Sequence, residues 1–421
     1  MIIHKVVKND SLYRIAQKYG VSLSKIIEDN NIKNPDKLII GQELYIPKAA
    51  ATHTVRGGDT LDGISNDMQT SKQTLYRLNP SLYGQDNIYP GQILNTSYQS
   101  PTMGAISVSG FATPKITERN LRATLPYLTY ISVYSHRFDV NGNIVCDFNQ
   151  DEIISLAESY SAIPLMTLTN TDSSGNYSAD MFSSITGTNA KNNIDKITEY
   201  AKQHGYRVVH IDFELLPADS SEQYEEFLIF LRGSLRAENI ALFVSVAPRY
   251  DNDSQNLYTP IDYGRLCSIC DLVYLMSYEI SRDGNTPSPT ATAVDMERAL
   301  RYITLKCPAS KISLGIPNYA YEYDKNGAYP ITDEYAMNLA LRKNAAIETD
   351  MRYDTPYFSY NEGVIGNTNT HTVHTDNYTS FAEKMSLVYD FGIMGINIYP
   401  IDNFNPKIYF PLIRMYNIMK R

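Results

Sequence analysis

Two acidic residues directly follow a short apolar run near the middle of the chain. Residues 206–214 read Tyr-Arg-Val-Val-His-Ile-Asp-Phe-Glu, a pattern typical of a buried parallel strand that ends in Asp212 and Glu214. Because side chains alternate along a strand, Asp212 and Glu214 share one face, and Phe213 points to the other. Cleavage of a glycosidic bond needs two such acids, one of which can hold a proton. A strand end with two solvated acids would look the same locally.

Strand-like segments that alternate with helical patterns begin at residue 105. Eight strands are predicted at 105–111, 128–134, 162–169, 208–214, 241–248, 272–278, 312–317 and 394–399. Helices are predicted between them, for example at 150–160, 189–204, 221–237, 291–305 and 377–391. This α/β alternation over about 315 residues predicts a (β/α)8 TIM barrel, whose active site would lie at the carboxyl ends of the strands. Residues 318–376 predict a small α+β insertion at that end, walling the cleft.

The first hundred residues contain a repeat. His4–Leu12 matches His53–Leu61, and each copy shows a strand–helix–helix–strand (βααβ) pattern that ends in Gly-Gln. Asp10 and Asp59 stand where the N-cap of the first helix is expected. The predicted organisation is two small α+β modules and one large domain, at 1–48, 52–97 and 104–421.

The two repeats resemble LysM modules in three motifs. These are the Asp-Ser/Thr-Leu start, the pair Asn79-Pro80 and the Gly-Gln-x-Leu-x-Ile-Pro ending at 41–47. The resemblance implies binding of glycans rich in N-acetylglucosamine, such as peptidoglycan and chitin, between the first strand–helix loop and the loop before the last strand. The implied contact residues are Asp10, Ser11, Leu12 and Ile39 in the first copy, and Asp59, Thr60, Leu61 and Ile88 in the second. The same residues could equally be caps and core contacts. The ending Ile93-Leu94-Asn95 predicts an altered last strand in the second copy.

Further polar and aromatic residues stand at the strand ends of the large domain. Strand six ends at 275–279, strand seven at 315–319 and strand eight at 397–399. Together with Asp212-Phe213-Glu214, they resemble family 18 glycoside hydrolases, whose signature is Asp-x-x-Asp-x-Asp-x-Glu on strand four and Met-x-Tyr-Asp on strand six. Within that family the whole chain is similar to the spore cortex-lytic N-acetylglucosaminidases, which carry two N-terminal LysM modules.

The resemblance implies a retaining, substrate-assisted mechanism, in which the acetamido oxygen of the sugar attacks C1. Glu214 would be the general acid and then the general base, Asp212 would orient the acetamido N–H, and Tyr278 would donate to the acetamido carbonyl. Nearby like charges would raise the pKa of the acid. Further substrate contacts are expected at Phe111, His210, Met276, Glu279, Tyr319 and Tyr399. No metal or organic cofactor is implied.

Three positions depart from the family pattern. Arg207 and His210 replace the first two signature acids, and Tyr399 stands where the family usually has Trp. Alternation places His210 beneath Asp212. A protonated His210 would lower the pKa of Asp212 and keep it ionised, whereas a neutral one would hydrogen-bond to it or only pack.

Composition restricts partners and location. A net charge of -9 argues against nucleic acid as a partner. No apolar run approaches the roughly 20 residues that a membrane span needs. The four cysteines do not predict a disulfide framework, and Cys267 and Cys270 are expected to be buried thiols. The start of the chain has no long apolar segment of a secretion signal, so we expect synthesis in the mother cell and packing into the spore coat or cortex, with coat proteins as possible partners.

The sequence therefore predicts a peptidoglycan hydrolase, an N-acetylglucosaminidase that acts on spore cortex during germination. The LysM pair would raise the local concentration of substrate. Two alternatives stay open. The loss of two signature acids would suit an inactive glycan-binding or coat structural protein, and the paired LysM modules do not exclude a chitinase.

Overall fold

Eight parallel strands close into a barrel. A computed structural model describes residues 1–98, 103–250, 262–278, 286–364 and 367–420. The barrel strands, numbered one to eight in chain order, are Ala105–Ala112, Tyr130–Phe138, Ile163–Thr169, Val208–Asp212, Ala241–Val246, Leu272–Leu275, Ile312–Pro317 and Gly395–Tyr399. Each pairs in parallel with the next, and strand eight closes the barrel on strand one, with Ile398 opposite Gly110. The predicted TIM barrel is confirmed.

The strand side chains divide between two apolar layers. On strand four, Val209, Ile211 and Phe213 pack outward beneath the helices. Val208 points inward, into a barrel interior that also holds Phe111. Because barrel strands are covered on both faces, they form continuous apolar runs in the sequence. The alternation predicted for strand four therefore holds.

Ten helices are described in the large domain. They are Glu118–Thr124, Gln150–Ser159, Ala179–Thr186, Ala190–Gln203, Ser221–Ala237, Tyr263–Ile269, Ala293–Thr304, Asp333–Lys343, Tyr378–Phe391 and Pro406–Met415. Their ends follow local chemistry. For example, the helix that begins at Tyr378 is capped by the side chain of Asn377, and it stops at Gly392, whose φ of 61° favours glycine. No helix among the described residues is both long and apolar enough to cross a membrane.

The insertion after strand seven is a small α+β unit, as predicted. Its antiparallel strands lie in the order Gly327–Ile331, Ala320–Asp324, Asn367–His374, Thr355–Val364 and Glu348–Asp350. The helix Asp333–Lys343 packs on this sheet through a core that includes Ala336, Leu339 and Phe358. Since strand seven ends at Pro317, the insertion starts at the carboxyl end of the barrel.

Both N-terminal repeats have the predicted βααβ layout. Module 1 contains Ile3–Lys5, Leu12–Tyr19, Leu23–Asp29 and Glu43–Tyr45, and module 2 contains Ala51–Thr54, Leu61–Asp67, Lys72–Leu78 and Ile93–Ser97. The last strand of module 2 is altered, because its pairing shifts register between Ala51 and Thr52.

The prediction that Asp10 and Asp59 are helix N-caps is wrong. The caps are Ser11 and Thr60, whose hydroxyls accept from backbone N–H groups three residues on. Each aspartate instead closes the preceding loop. Asp10 Oδ2 accepts from Val7 N–H at 2.8 Å and contacts His4 Nε2 at 2.9 Å.

The cysteine prediction also needs correction. Cys267 is joined to Cys307 in a disulfide with a Cα–Cα distance of 5.7 Å. Cys270 is a free, buried thiol, as predicted. The helix Tyr263–Ile269 brings Cys267 beside a residue 40 positions away in sequence, a proximity that sequence spacing does not reveal.

Both modules pack against the large domain and are not connected to it by linkers alone. In module 1, the ring of Tyr45 stacks on Phe410 at a centroid distance of 4.4 Å. In module 2, the Arg77 carbonyl accepts from Tyr127 Oη at 2.8 Å. The apolar core of module 2 is continuous with that of the barrel.

Candidate active site

Asp212 ends strand four with its side chain inside the barrel. It is 4% exposed, and its Oδ2 accepts from Tyr177 Oη at 3.0 Å. The Tyr177 hydroxyl also pairs with that of Tyr134, at 2.7 Å. Burial raises the pKa of Asp212, and the hydroxyls of Ser245, Tyr177 and Tyr134 oppose that shift. Although these hydroxyls are near, no described group stands in hydrogen-bonding geometry to Oδ1. This oxygen is therefore a buried acceptor with no donor among the described residues.

Glu214 lies two residues beyond Asp212, and its backbone is held from both sides by one amide. Asn170 Oδ1 accepts from Glu214 N–H at 2.9 Å, and Asn170 Nδ2 donates to Glu214 C=O at 2.8 Å. Asn170 itself is fully buried at the end of strand three. The half-buried Glu214 side chain is thereby set at the mouth of the barrel.

Tyr278 completes the group at the end of strand six. Burial, followed by the charge of Asp212 and weaker contributions that include Glu214, raises the pKa of Tyr278 well above its usual value. Its hydroxyl therefore keeps its proton and remains a donor. The ring stacks on Tyr399 with a centroid distance of 6.1 Å and an interplanar angle of 13°. Four of the predicted site residues therefore lie together at this end of the barrel: Asp212, Glu214, Tyr278 and Tyr399.

His210 lies in the barrel interior and is neutral. Burial lowers its pKa to about 3. Its Nδ1 lies 3.1 Å from Thr167 Oγ1 and its Nε2 lies 2.8 Å from Ser245 Oγ. The lowered pKa and the two hydroxyl partners do not support the hypothesis of an imidazolium that stabilises Asp212, because an enclosed ring cannot be solvated as a cation. Since His210 has no exposed surface, it can affect a sugar only through its neighbours.

The remaining predicted contacts lie around this group. Met276 is half-buried just after strand six, and Phe111 is 4% exposed with its ring edge against Tyr399, at 5.8 Å. The carbonyl of Tyr319 accepts from Thr290 Oγ1 at the start of the insertion. Their contact with substrate stays a prediction. Glu279 lies outside the described residues.

Sequence reasoning missed four residues that hold the acids. Tyr134 and Ser245 occupy inward positions of strands two and five, and Asn170 follows strand three, so alternation and strand ends could have identified them. Tyr177 lies in a loop, and no sequence signal indicates that it reaches Asp212.

The predicted glycan-contact residues of the two modules differ in how far they are exposed to solvent. Ser11 and Thr60 are exposed, Asp10 and Asp59 are partly exposed, and Leu12 and Leu61 are buried. Ile39 is also buried, at 8% exposure, but against the insertion rather than within module 1.

Ile88 is not the structural counterpart of Ile39. The backbone N–H of Ile39 donates to Gln42 Oε1 at 2.8 Å, and the N–H of Tyr89 donates to Gln92 Oε1 at 3.1 Å. The residue equivalent to Ile39 is therefore Tyr89, which is 67% exposed. The signal was present in the sequence, because module 2 has one more residue between its first His and its Gly-Gln pair than module 1.

Comparison with known proteins finds a matching family for the N-terminal repeats and for the large domain. The LysM domain matches residues 4–47 and 53–97, and the glycosyl hydrolases family 18 match residues 113–403. The cortical fragment-lytic enzyme of Bacillus subtilis is 27% identical over 100% of this chain and 99% of its own length. The crystal structure of the spore cortex-lytic enzyme SleL of Bacillus megaterium is 25% identical, with a TM-score of 0.81 over 100% of this chain and 99% of that one. A chitinase of Chromobacterium violaceum, 22% identical, shares the fold with a TM-score of 0.68 over 74% of this chain and 98% of its own.

Proposed function

The chain belongs to the glycosyl hydrolases of family 18, and we propose that it is an N-acetylglucosaminidase that cleaves spore cortex peptidoglycan during germination by a retaining, substrate-assisted mechanism. The observation that carries this proposal is the pairing of an acceptor with a donor. Asp212 Oδ1 is a buried acceptor, and the nearby Tyr278 hydroxyl keeps its proton. An acetamido group offers the complement, an N–H and a carbonyl oxygen.

The mechanism follows from these roles. Asp212 accepts the acetamido N–H and Tyr278 donates to the acetamido oxygen, which together hold that oxygen under C1. Glu214 donates a proton to the leaving oxygen as the C1–O bond breaks and the acetamido oxygen bonds to C1. Water then attacks C1 of the oxazolinium as the bond between C1 and the acetamido oxygen breaks, and Glu214 takes a proton from the water. Two displacements at C1 leave its configuration unchanged, and the enclosed site strengthens the hydrogen bonds that stabilise the developing charge.

The two lost signature acids do not count against activity. Arg207 is exposed and precedes strand four, so it stands at the end of the barrel opposite to the reacting atoms. His210 is satisfied by Thr167 and Ser245 within the interior. Neither replacement removes a group that contacts the acetamido site.

The substrate follows from the domain combination and the relatives. LysM domains support binding of a glycan such as peptidoglycan, and two of the relatives named above are a cortical fragment-lytic enzyme and a spore cortex-lytic enzyme. Applied to this chain, they favour cortex as the substrate and the spore as the location.

The test is the substitution Glu214→Gln, assayed on cortex fragments by mass spectrometry of new reducing ends. Loss of the acid should slow cleavage by about 10²–10⁴-fold or more. Glu226→Gln, on the exposed face of the helix Ser221–Ala237, is the matched control and should keep the wild-type rate. A Glu214→Gln variant that retained more than about a tenth of the rate would exclude Glu214 as the acid. Wild-type products that end in N-acetylmuramic acid rather than N-acetylglucosamine would exclude the proposed specificity.

A further inference from the structure

The corresponding loops of the two LysM modules meet different surroundings. Residues 38–41 form the loop before the last strand of module 1, and residues 88–91 form its counterpart in module 2. In each module this loop is one side of the expected glycan site. We call them loop 1 and loop 2.

Loop 1 is covered by the insertion. The Ile40 carbonyl accepts from Ile347 N–H at 2.8 Å. The Ile39 side chain joins the apolar core of the insertion. Next to the loop, Lys37 Nζ donates to the Leu341 carbonyl at 2.9 Å. The backbones approach so closely that a Cβ on Gly41 would overlap the carbonyl oxygen of Ile347. The insertion therefore occupies the backbone of loop 1 and the Ile39 side chain, and a cavity lined in part by Ile39, Gly41 and Ile347 remains beside them.

The contact continues on both sides of loop 1. Glu43 accepts from the backbone N–H of Thr379 at 2.9 Å and from its hydroxyl at 2.7 Å. Asn30 Oδ1 accepts from Tyr378 Oη at 3.0 Å. Module 1 is therefore fixed to the insertion and to the helix that follows it, by apolar packing and by hydrogen bonds together.

Loop 2 faces outward. Tyr89 is 67% exposed, and Pro90 beside it is also exposed. Among the described residues, no atom lies within 4 Å of where a Cβ on Gly91 would be. Module 2 meets the barrel through a different surface, which includes the Arg77 and Gly84 carbonyls. Its glycan side is left open.

We propose that the two modules have different roles, and the proposal rests on glycan binding by LysM domains as part of the proposed function. Module 1 is a fixed brace whose glycan side is occupied by the insertion. Module 2 alone binds glycan outside the catalytic cleft, and Tyr89 is the side chain that lies against a sugar ring. A tyrosine suits this contact, because its face is apolar and its hydroxyl is polar.

Hydrogen exchange on the full-length Glu214→Gln variant tests this division, with a soluble pentamer of N-acetylglucosamine as the probe. Backbone amides of residues 39–42 should exchange slowly without the probe and should not change when it is added. Those of residues 57–61, 88, 89, 91 and 92 should slow on addition. Equal added protection in both modules would overturn the proposal. Protection near Glu214 but in neither module would overturn it too and would leave the catalytic proposal intact, whereas no protection near Glu214 would count against the proposed function itself.

Matched substitutions provide a second test in the same Glu214→Gln background. Tyr89→Ala should weaken binding to insoluble cortex by at least about fivefold, and Tyr89→Phe should retain it. Ile40→Ala is the control in loop 1, because its side chain is 48% exposed and its bonded group is the backbone carbonyl. This variant should bind within about twofold of the parent. Weakening by Ile40→Ala as large as that by Tyr89→Ala, or no effect of Tyr89→Ala, would overturn the proposal.

Discussion

The proposed general acid depends on a neighbour for its placement, since the Glu214 backbone makes two hydrogen bonds to Asn170. Asn170→Ala would remove both hydrogen bonds to the Glu214 backbone, each worth about 0.5–1.5 kcal/mol. We expect kcat to fall by more than about tenfold and Tm to decrease, because small displacements of a catalytic group are costly. Activity and thermal unfolding of Asn170→Ala should be compared with those of the exposed control Asn192→Ala. An unchanged kcat in a variant with lower Tm would make Asn170 only structural.

A second residue-scale prediction concerns His210 and catalysis. Since the pKa of His210 is lowered to about 3, its ring should be neutral above about pH 4. His210→Asn should therefore leave the shape of the kcat/KM–pH profile unchanged above about pH 4, measured on one soluble fragment. A shift in the acidic limb would show that His210 carries a charge near Asp212.

The same histidine should affect stability with pH. Its folded pKa, about 3, is below the unfolded value of about 6.5, so between these pH values the unfolded chain binds more protons. The contribution of His210 to the free energy of unfolding therefore decreases as pH falls from about 6.5 towards 3. His210→Asn should show a weaker decrease in denaturant unfolding over that window. Parallel stability curves for wild type and variant would contradict this expectation.

At the scale of elements, strand seven shapes the space for Tyr278. A Cβ on Gly315 would lie 2.9 Å from Tyr278 Cε1 and 2.7 Å from the Leu275 carbonyl oxygen. Gly315→Ala should displace Tyr278 and lower kcat by about tenfold or more, because a positioned donor stabilises the transition state. Gly233→Ala is the control, since no described atom lies within 4 Å of its Cβ position. Wild-type kcat in folded Gly315→Ala would show that strand seven does not set the position of Tyr278.

Sequence patterns predict the elements of this chain better than they predict its loops. Buried strands leave continuous apolar runs, which located all eight barrel strands and placed Asp212 and Glu214 at the end of one. Loop positions have no such periodicity. For this reason Tyr177 was missed. A one-residue difference in loop length also led to the prediction of Ile88, rather than Tyr89, as the counterpart of Ile39. The charge of His210 was also beyond sequence reasoning, because its pKa depends on how completely the barrel encloses it.

At the scale of the whole molecule, the modules and the barrel form one packed body. Module 2 shares an apolar core with the barrel, and Tyr45 of module 1 packs in a cluster with Tyr378 and Phe410 of the large domain. A docked module 2 holds glycan at a fixed position relative to the cleft, whereas a flexible linker would only set an effective concentration. The expected consequence is that module contacts affect the stability of the barrel itself.

Tyr45→Ala tests that coupling. Tyr45 is 1% exposed and stacks on Phe410, so truncation should lower the free energy of unfolding by about 3–5 kcal/mol, as for other buried aromatic residues. Tyr13→Ala, at a site that is 61% exposed on the same module, should change it by less than about 0.5 kcal/mol. Since Tyr45 packs into the large domain, unfolding should remain one cooperative transition, and its midpoint should shift as a whole when followed by calorimetry. If Tyr45→Ala instead produced an early transition for the module and left the barrel transition unmoved, module 1 would be an independent domain, and its packing on the large domain would contribute nothing to the stability of the catalytic fold.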